Sequence, residues 1–128
     1  MGREFTIDTV RRLIISKYFG EHSYSDVVEQ WKEMRAHPDF DPAFDLISDL
    51  SGVTKFQLTT DELRNLLRMG DPMSRTSKRV MIATNDYVYG NLRMYGLTDW
   101  KDRGITVVRS WEEALDLLQN RDRDTAGC

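Results

Sequence analysis

Phe44-Asp45-Leu46-Ile47-Ser48-Asp49-Leu50-Ser51-Gly52-Val53-Thr54 is the stretch on which the fold turns. Its first half is a short apolar run, the pattern of a strand buried in a sheet. Asp49, Ser51 and Gly52 then interrupt it with turn-forming residues. The run therefore predicts a strand over 44–50 and a loop at its carboxyl end, where open α/β sheets usually meet ligands.

Upstream of this strand, Phe5 and Ile7 alternate with polar residues, Asp8-Thr9 reads as a turn, and Val10 through Phe19 is β-rich, so an antiparallel hairpin opens the chain. Ser23 and Asp26 form a capping pair for a first helix. Its apolar residues are Tyr24, Val27, Val28, Trp31 and Met34, and His37-Pro38 ends it. Downstream, Thr59 and Glu62 form a capping box, Leu58 staples onto Leu63, and Leu63, Leu66 and Leu67 give the second helix its apolar face. Gly70-Asp71-Pro72 stops that helix. Arg79 to Ala83 is a further strand, and Asn85 or Asp86 starts a third helix with Val88, Leu92 and Tyr95 inward. Ile105 to Val108 is the last strand. Ser110 and Glu113 cap a fourth helix whose inward residues are Trp111, Ala114, Leu115 and Leu118. The order β-β-α-β-α-β-α-β-α predicts an α/β fold with a mixed, mostly parallel sheet, one hairpin strand running antiparallel.

A length of 128 residues with 40% hydrophobic and 30% charged residues fits one soluble domain. Its expected extent is 1–119, with 120–128 as a flexible polar tail. A net charge of −3 argues against a general nucleic-acid binder, and Arg75, Lys78 and Arg79 read as a solvated loop before a strand. The single cysteine, Cys128, leaves no internal disulfide and fits a reducing compartment. With no signal-type apolar segment and no apolar run of membrane-spanning length, the expected location is the cytoplasm.

Several of these segments carry a resemblance. Asp49-Leu50-Ser51-Gly52-Val53 in a central strand is similar to the "DLSGV" segment of the STAS domain (sulfate transporter and anti-sigma factor antagonist). Val80 to Ala83 leading into Tyr87-Val88-Tyr89-Gly90-Asn91-Leu92-Arg93-Met94-Tyr95, and the closing Glu112-Glu113-Ala114-Leu115, resemble its small stand-alone SpoIIAA-like branch. The resemblance spans roughly residues 4–119. It implies a non-catalytic regulatory or protein-interaction module whose partner is another protein or a second copy of the chain. Anti-sigma antagonists place a phosphorylatable serine in an Asp-Ser-Ser-Gly stretch shortly after this segment; here the corresponding residues are Phe56-Gln57-Leu58-Thr59-Thr60. Thr59 and Thr60 offer hydroxyls there, but Thr59 reads as a helix N-cap, so the phosphoserine switch is expected to be missing.

The candidate binding residues are Asp49, Ser51, Asn85, Tyr87, Tyr89 and Arg93, with Asp86 beside them, all expected near one rim of the sheet. The competing local roles are a turn for Asp49 and Ser51 and a helix cap for Asn85 or Asp86. Tyr89 and Arg93, four apart, are spaced for a cation–π pair. Gly90 inside the helix points to close approach of another group, and helix 3 with Trp100 points to a homodimer. The alternative function is a small apolar or lipid-like ligand-binding protein, since the fold has a look in common with the CRAL-TRIO lipid-transfer domains. An enzyme built on Asp49, Ser51 and Arg93 is the least expected. No nucleotide-binding or hydrolase motif occurs, His22 and His37 lack metal-ligand spacing, and no cofactor or metal is expected.

Overall fold

The computed structural model describes residues 2–70, 72–97 and 104–126, without the side chains of Leu67 and of residues 120–126. Trp100 and Cys128 lie outside the described residues. The elements run β1 (Gly2–Asp8), β2 (Leu13–His22), α1 (Tyr24–Ala36), β3 (Asp45–Phe56), α2 (Thr60–Met69), β4 (Arg79–Ile82), α3 (Asp86–Met94), β5 (Ile105–Val108) and α4 (Trp111–Ala126). This is the expected order.

The strands lie side by side in chain order, β1-β2-β3-β4-β5. β1 pairs antiparallel with β2, and every later neighbour is parallel. Because the order advances one strand at a time in one direction, right-handed crossovers send every connecting helix to the same face. Accordingly α1, α2 and α3 pack together on one face, where Val27, Leu63, Leu66, Val88 and Leu92 meet Tyr18, Leu50 and Val53. The other face is covered by α4, whose Trp111, Ala114, Leu117 and Leu118 meet Leu13, Ile47, Val80, Ile82 and Val108. The strand order never reverses, so the sheet has no switch-point crevice at its carboxyl rim.

Three boundaries differ from expectation. Val10 is 91% exposed in the β1–β2 turn and starts no strand. Asp8 Oδ1 accepts from the backbone N–H groups of Val10 and Arg11, and this side-chain turn takes Val10 out of the ladder, which closes at Asp8 and Leu13. β3 does not stop at Leu50 but continues to Phe56. Its pairing with β2 survives through register shifts between Lys17 and Phe19 and between Gly20 and Glu21, each placing an extra residue in β3. The first bulge changes the parity of the strand, which is how Val53 comes to share a face with Leu50. Finally, residues 120–126, expected as a polar tail, continue α4, since no Gly or Pro interrupts the chain before Gly127. Leu115, expected inward, is exposed, and Leu117 takes the packing position.

α1 is fastened to the hairpin by buried Gln30, whose Nε2 donates to Glu4 O (2.8 Å) and Ser16 Oγ (2.9 Å). α2 is tied to α1 by Asn65 Nδ2 donating to Tyr24 Oη at 2.6 Å.

Candidate functional site

The six residues chosen from sequence are dispersed into separate local arrangements. Asp49 Oδ1 accepts from Ser51 N (2.9 Å) and Ser51 Oγ (2.5 Å), and Asp49 Oδ2 accepts from Trp111 Nε1 (3.0 Å). This carboxylate braces the β3 bulge and holds α4 against the sheet. Asn85 is the N-cap of α3, its side chain accepting from Val88 N at 2.9 Å. Tyr87 Oη accepts from Phe56 N at 3.1 Å, so the ring clips the end of β3 to α3. Tyr89 has a cationic partner, but it is Arg109, whose guanidinium carbon lies 4.5 Å from the ring centroid. The same guanidinium donates to Ala83 O (2.9 Å) and Asp86 Oδ1 (2.7 Å), which orients it in a way that Arg93 on the outer side of α3 cannot match. Arg93 is exposed. Arg109 was invisible to a reading based on helical spacing, because it reaches Tyr89 from the end of β5.

A large concavity lies elsewhere. A cavity of about 790 Å³ runs between the sheet and the layer of α1, α2 and α3. Trp31, Leu50, Phe56, Leu63, Leu66 and Leu92 give it an apolar wall, while Tyr18, His22 and Ser48 are polar groups on its sheet side, and Arg75 and Arg79 line its opposite end. Its size falls in the range of small-molecule pockets. None of Asp49, Ser51, Asn85, Tyr87, Tyr89 or Arg93 lines it. Asp49, Ser51 and Arg93 therefore do not meet in this cavity.

His22 is the unusual group in this wall. It is 6% exposed, and its Nδ1 is buried without a hydrogen-bond partner. The rings of Tyr18 and Phe56 stand edge-on to it at 4.5 and 5.6 Å. Burial lowers its pKa to about 4, against the opposing pull of the Asp26 carboxylate. Burial also pushes the Tyr18 hydroxyl up to about 12. Both are neutral near pH 7. The sequence did hold a signal for His22. Ile14, Ser16, Tyr18, Gly20 and His22 follow period two along β2, which places His22 on the inner face. No group of three or more His, Cys, Asp or Glu side chains able to hold a metal ion occurs among the described residues. No helix among them is long and apolar enough to cross a membrane.

At the start of α2, Thr59 Oγ1 accepts from Glu62 N (3.1 Å), and Glu62 Oε1 accepts from Thr59 N (3.0 Å). The expected capping box is complete. Thr59→Ala should cost about 1 kcal/mol by urea denaturation, and Thr60→Ala much less. Equal losses for the two would contradict the capping role.

No known family model matches the sequence, and no curated protein matches it. Among solved structures, the chain is similar to the anti-sigma factor antagonist SpoIIAA in its unphosphorylated form. The identity is 13% and the TM-score 0.58, over 92% of this chain and 98% of that one. It is also similar to the phosphorylated form of SpoIIAA, described as a Bacillus cell fate determinant, at 14% identity and a TM-score of 0.48, over 90% of this chain and 99% of that one. The mixed five-stranded architecture is that of the SpoIIAA fold.

Proposed function

We propose that this chain is a non-catalytic regulatory module of the SpoIIAA type, acting in the cytoplasm through a protein partner or a second copy of itself, without a phosphoserine switch. The observation that carries this reading is the outer face of α3. Tyr87 (47% exposed), Gly90 and Met94 (71% exposed) follow helical i, i+3, i+7 spacing, and Arg93 adjoins them. Tyr, Met and Arg are residues favoured at interfaces. The SpoIIAA structure it resembles is described as an anti-sigma factor antagonist. Against a switch at the start of α2, the Thr59 hydroxyl is already engaged in the cap. The test is affinity capture and light scattering with the native chain and with Met94→Glu. The expected result is a partner, or a dimer mass, that the native chain shows and the variant loses. A monomer with no partner, or partners indifferent to Met94→Glu, would contradict it.

Gly90 adds a separate expectation. A Cβ built there meets nothing within 4 Å of this chain. Gly90→Ala should therefore stabilise the isolated protein by about 0.5–1 kcal/mol, measured by urea denaturation. A loss of stability would mean that the chain itself packs closely there.

A second reading is favoured by the 790 Å³ cavity, whose largely apolar wall supports binding of a small apolar or lipid-like ligand inside the helical layer.

A further inference from the structure

We infer that the cavity takes a single-chain amphipath with an anionic head, a carboxylate or a phosphate, whose charge sits at Arg75 and Arg79 and whose acyl tail runs along β3 toward Leu50 and Leu63. This rests on the second reading above, the apolar-ligand site, and assigns the ligand's head group and its orientation. The observation behind it is the distribution of charge around the wall. Among the described lining residues no Asp or Glu occurs, and those charged near pH 7 are two arginines at one end. The chain as a whole carries a net charge of −3, so a lining whose charges are all positive runs against its average.

The sheet places this charge. Leu46, Ser48 and Leu50 alternate along β3 onto the cavity face, and Arg79 and Met81 do so along β4. In register, Arg79 stands beside Leu46 and Ile105, at the amino ends of three parallel strands. Its backbone N–H donates to Gly104 O at 2.8 Å. A Cβ on Gly104 would stand 3.0 Å from Arg79 Nη2, so the guanidinium occupies the space that a side chain at 104 would take. Arg79 is half-buried there and Arg75 is exposed. An anion at this end keeps contact with water beside Arg75 and meets planar donors matched to a carboxylate or a phosphate. Its tail has Leu46 to Leu50 ahead of it, about 13 Å of strand, with Leu63, Leu66 and Leu92 supplied by the helical layer. The reverse orientation would bury the anion at the His22 end. The ring there is neutral near pH 7 and the Asp26 carboxylate is buried close by, so the charge would find no compensation.

The experiment titrates the native chain at pH 7 with decanoate, decyl phosphate, 1-decanol and inorganic phosphate. Calorimetry follows binding, and NOEs to assigned methyl groups place the ligand. The expected result is that decanoate or decyl phosphate binds about tenfold tighter than 1-decanol, the worth of one charge-assisted hydrogen bond. Whichever of the two binds tighter identifies the head group as carboxylate or phosphate, and inorganic phosphate should bind far more weakly than either. Arg75→Gln should narrow the preference, and Arg75→Gln combined with Arg79→Gln should remove it while leaving the affinity for 1-decanol unchanged. NOEs from the C2 methylene of decanoate should fall on Ile105, and those from its terminal methyl on Leu50 and Leu63. Equal binding of the anionic probes and 1-decanol, or NOEs in the reverse order, would overturn the head-group assignment while leaving an apolar site. Inorganic phosphate binding as tightly as decyl phosphate would overturn it in favour of a bare anion site. Failure of decanoate, decyl phosphate and 1-decanol to bind would overturn both the inference and the apolar-ligand reading. The NOEs on the native chain decide the orientation even where the double variant does not fold.

Discussion

Lowering the pH from 7 to 4 should cost the fold about 3 kcal/mol through His22 alone. The folded pKa is about 4 against 6.5 for an unperturbed histidine, and each unit of difference is worth about 1.4 kcal/mol. The sign follows from the direction of the shift. A buried histidine is held neutral, so the unfolded chain binds the proton more readily than the folded one does. Its contribution is intact above pH 6.5 and is lost as the pH falls toward 4. The groups acting on it divide: burial among Tyr18, Phe56 and the cavity wall opposes protonation, while the Asp26 carboxylate favours it. Urea denaturation of the native chain and of His22→Phe at several pH values isolates the effect from the carboxylates. The native chain should lose about 3 kcal/mol more than the variant between pH 7 and pH 4. Parallel losses would show that His22 is hydrated in the folded state.

Gly52→Ala should be the most damaging single-methyl addition, at about 2 kcal/mol. A Cβ at Gly52 would stand 2.8 Å from Phe19 Cβ and 3.3 Å from Tyr18 O. Neither atom is the flexible end of a side chain, so relief requires β2 and β3 to part at the first bulge. That bulge sets the parity that turns Val53 toward Leu50, so separation there also loosens the core under α1 and α2. The same substitution at Gly90 is expected to have the opposite sign, and denaturant midpoints for the pair provide an internal control. A neutral Gly52→Ala would contradict the close approach of the two strands.

The helix starts were the legible part of this chain. Ser23, Thr59, Asn85 and Ser110 all accept at helix starts, because a cap is decided within four residues of sequence. Strand β3 was misread past Leu50 because Asp49, Ser51 and Gly52 have the composition of a turn. The bonds from Ser51 to Asp49 instead stay within the strand, and the neighbouring strand that keeps these residues extended is remote in sequence. The local partners of the rim residues were hidden for a related reason. Asp49 is claimed by Trp111 and Tyr89 by Arg109, two pairings that depend on how α4 and the end of β5 meet the sheet. The cavity was beyond local reading altogether, since its wall is assembled from β2, α1, β3, α2, β4, α3 and β5. Only the alternation along β2 carried a trace of it, by pointing His22 inward beside Tyr18.

The space under α1, α2 and α3 is the site proposed for a small apolar ligand, separate from the outer face of α3 proposed for a protein partner. A methyl-labelled NMR titration with 1-decanol tests this most directly. The expected result is saturable shifts at Leu50, Leu63, Leu66 and Leu92, with Leu13, Val80 and Leu117 on the α4 face unmoved. Saturable shifts confined to the α4 face or to the surroundings of Asp49, or no shifts at any concentration, would contradict it.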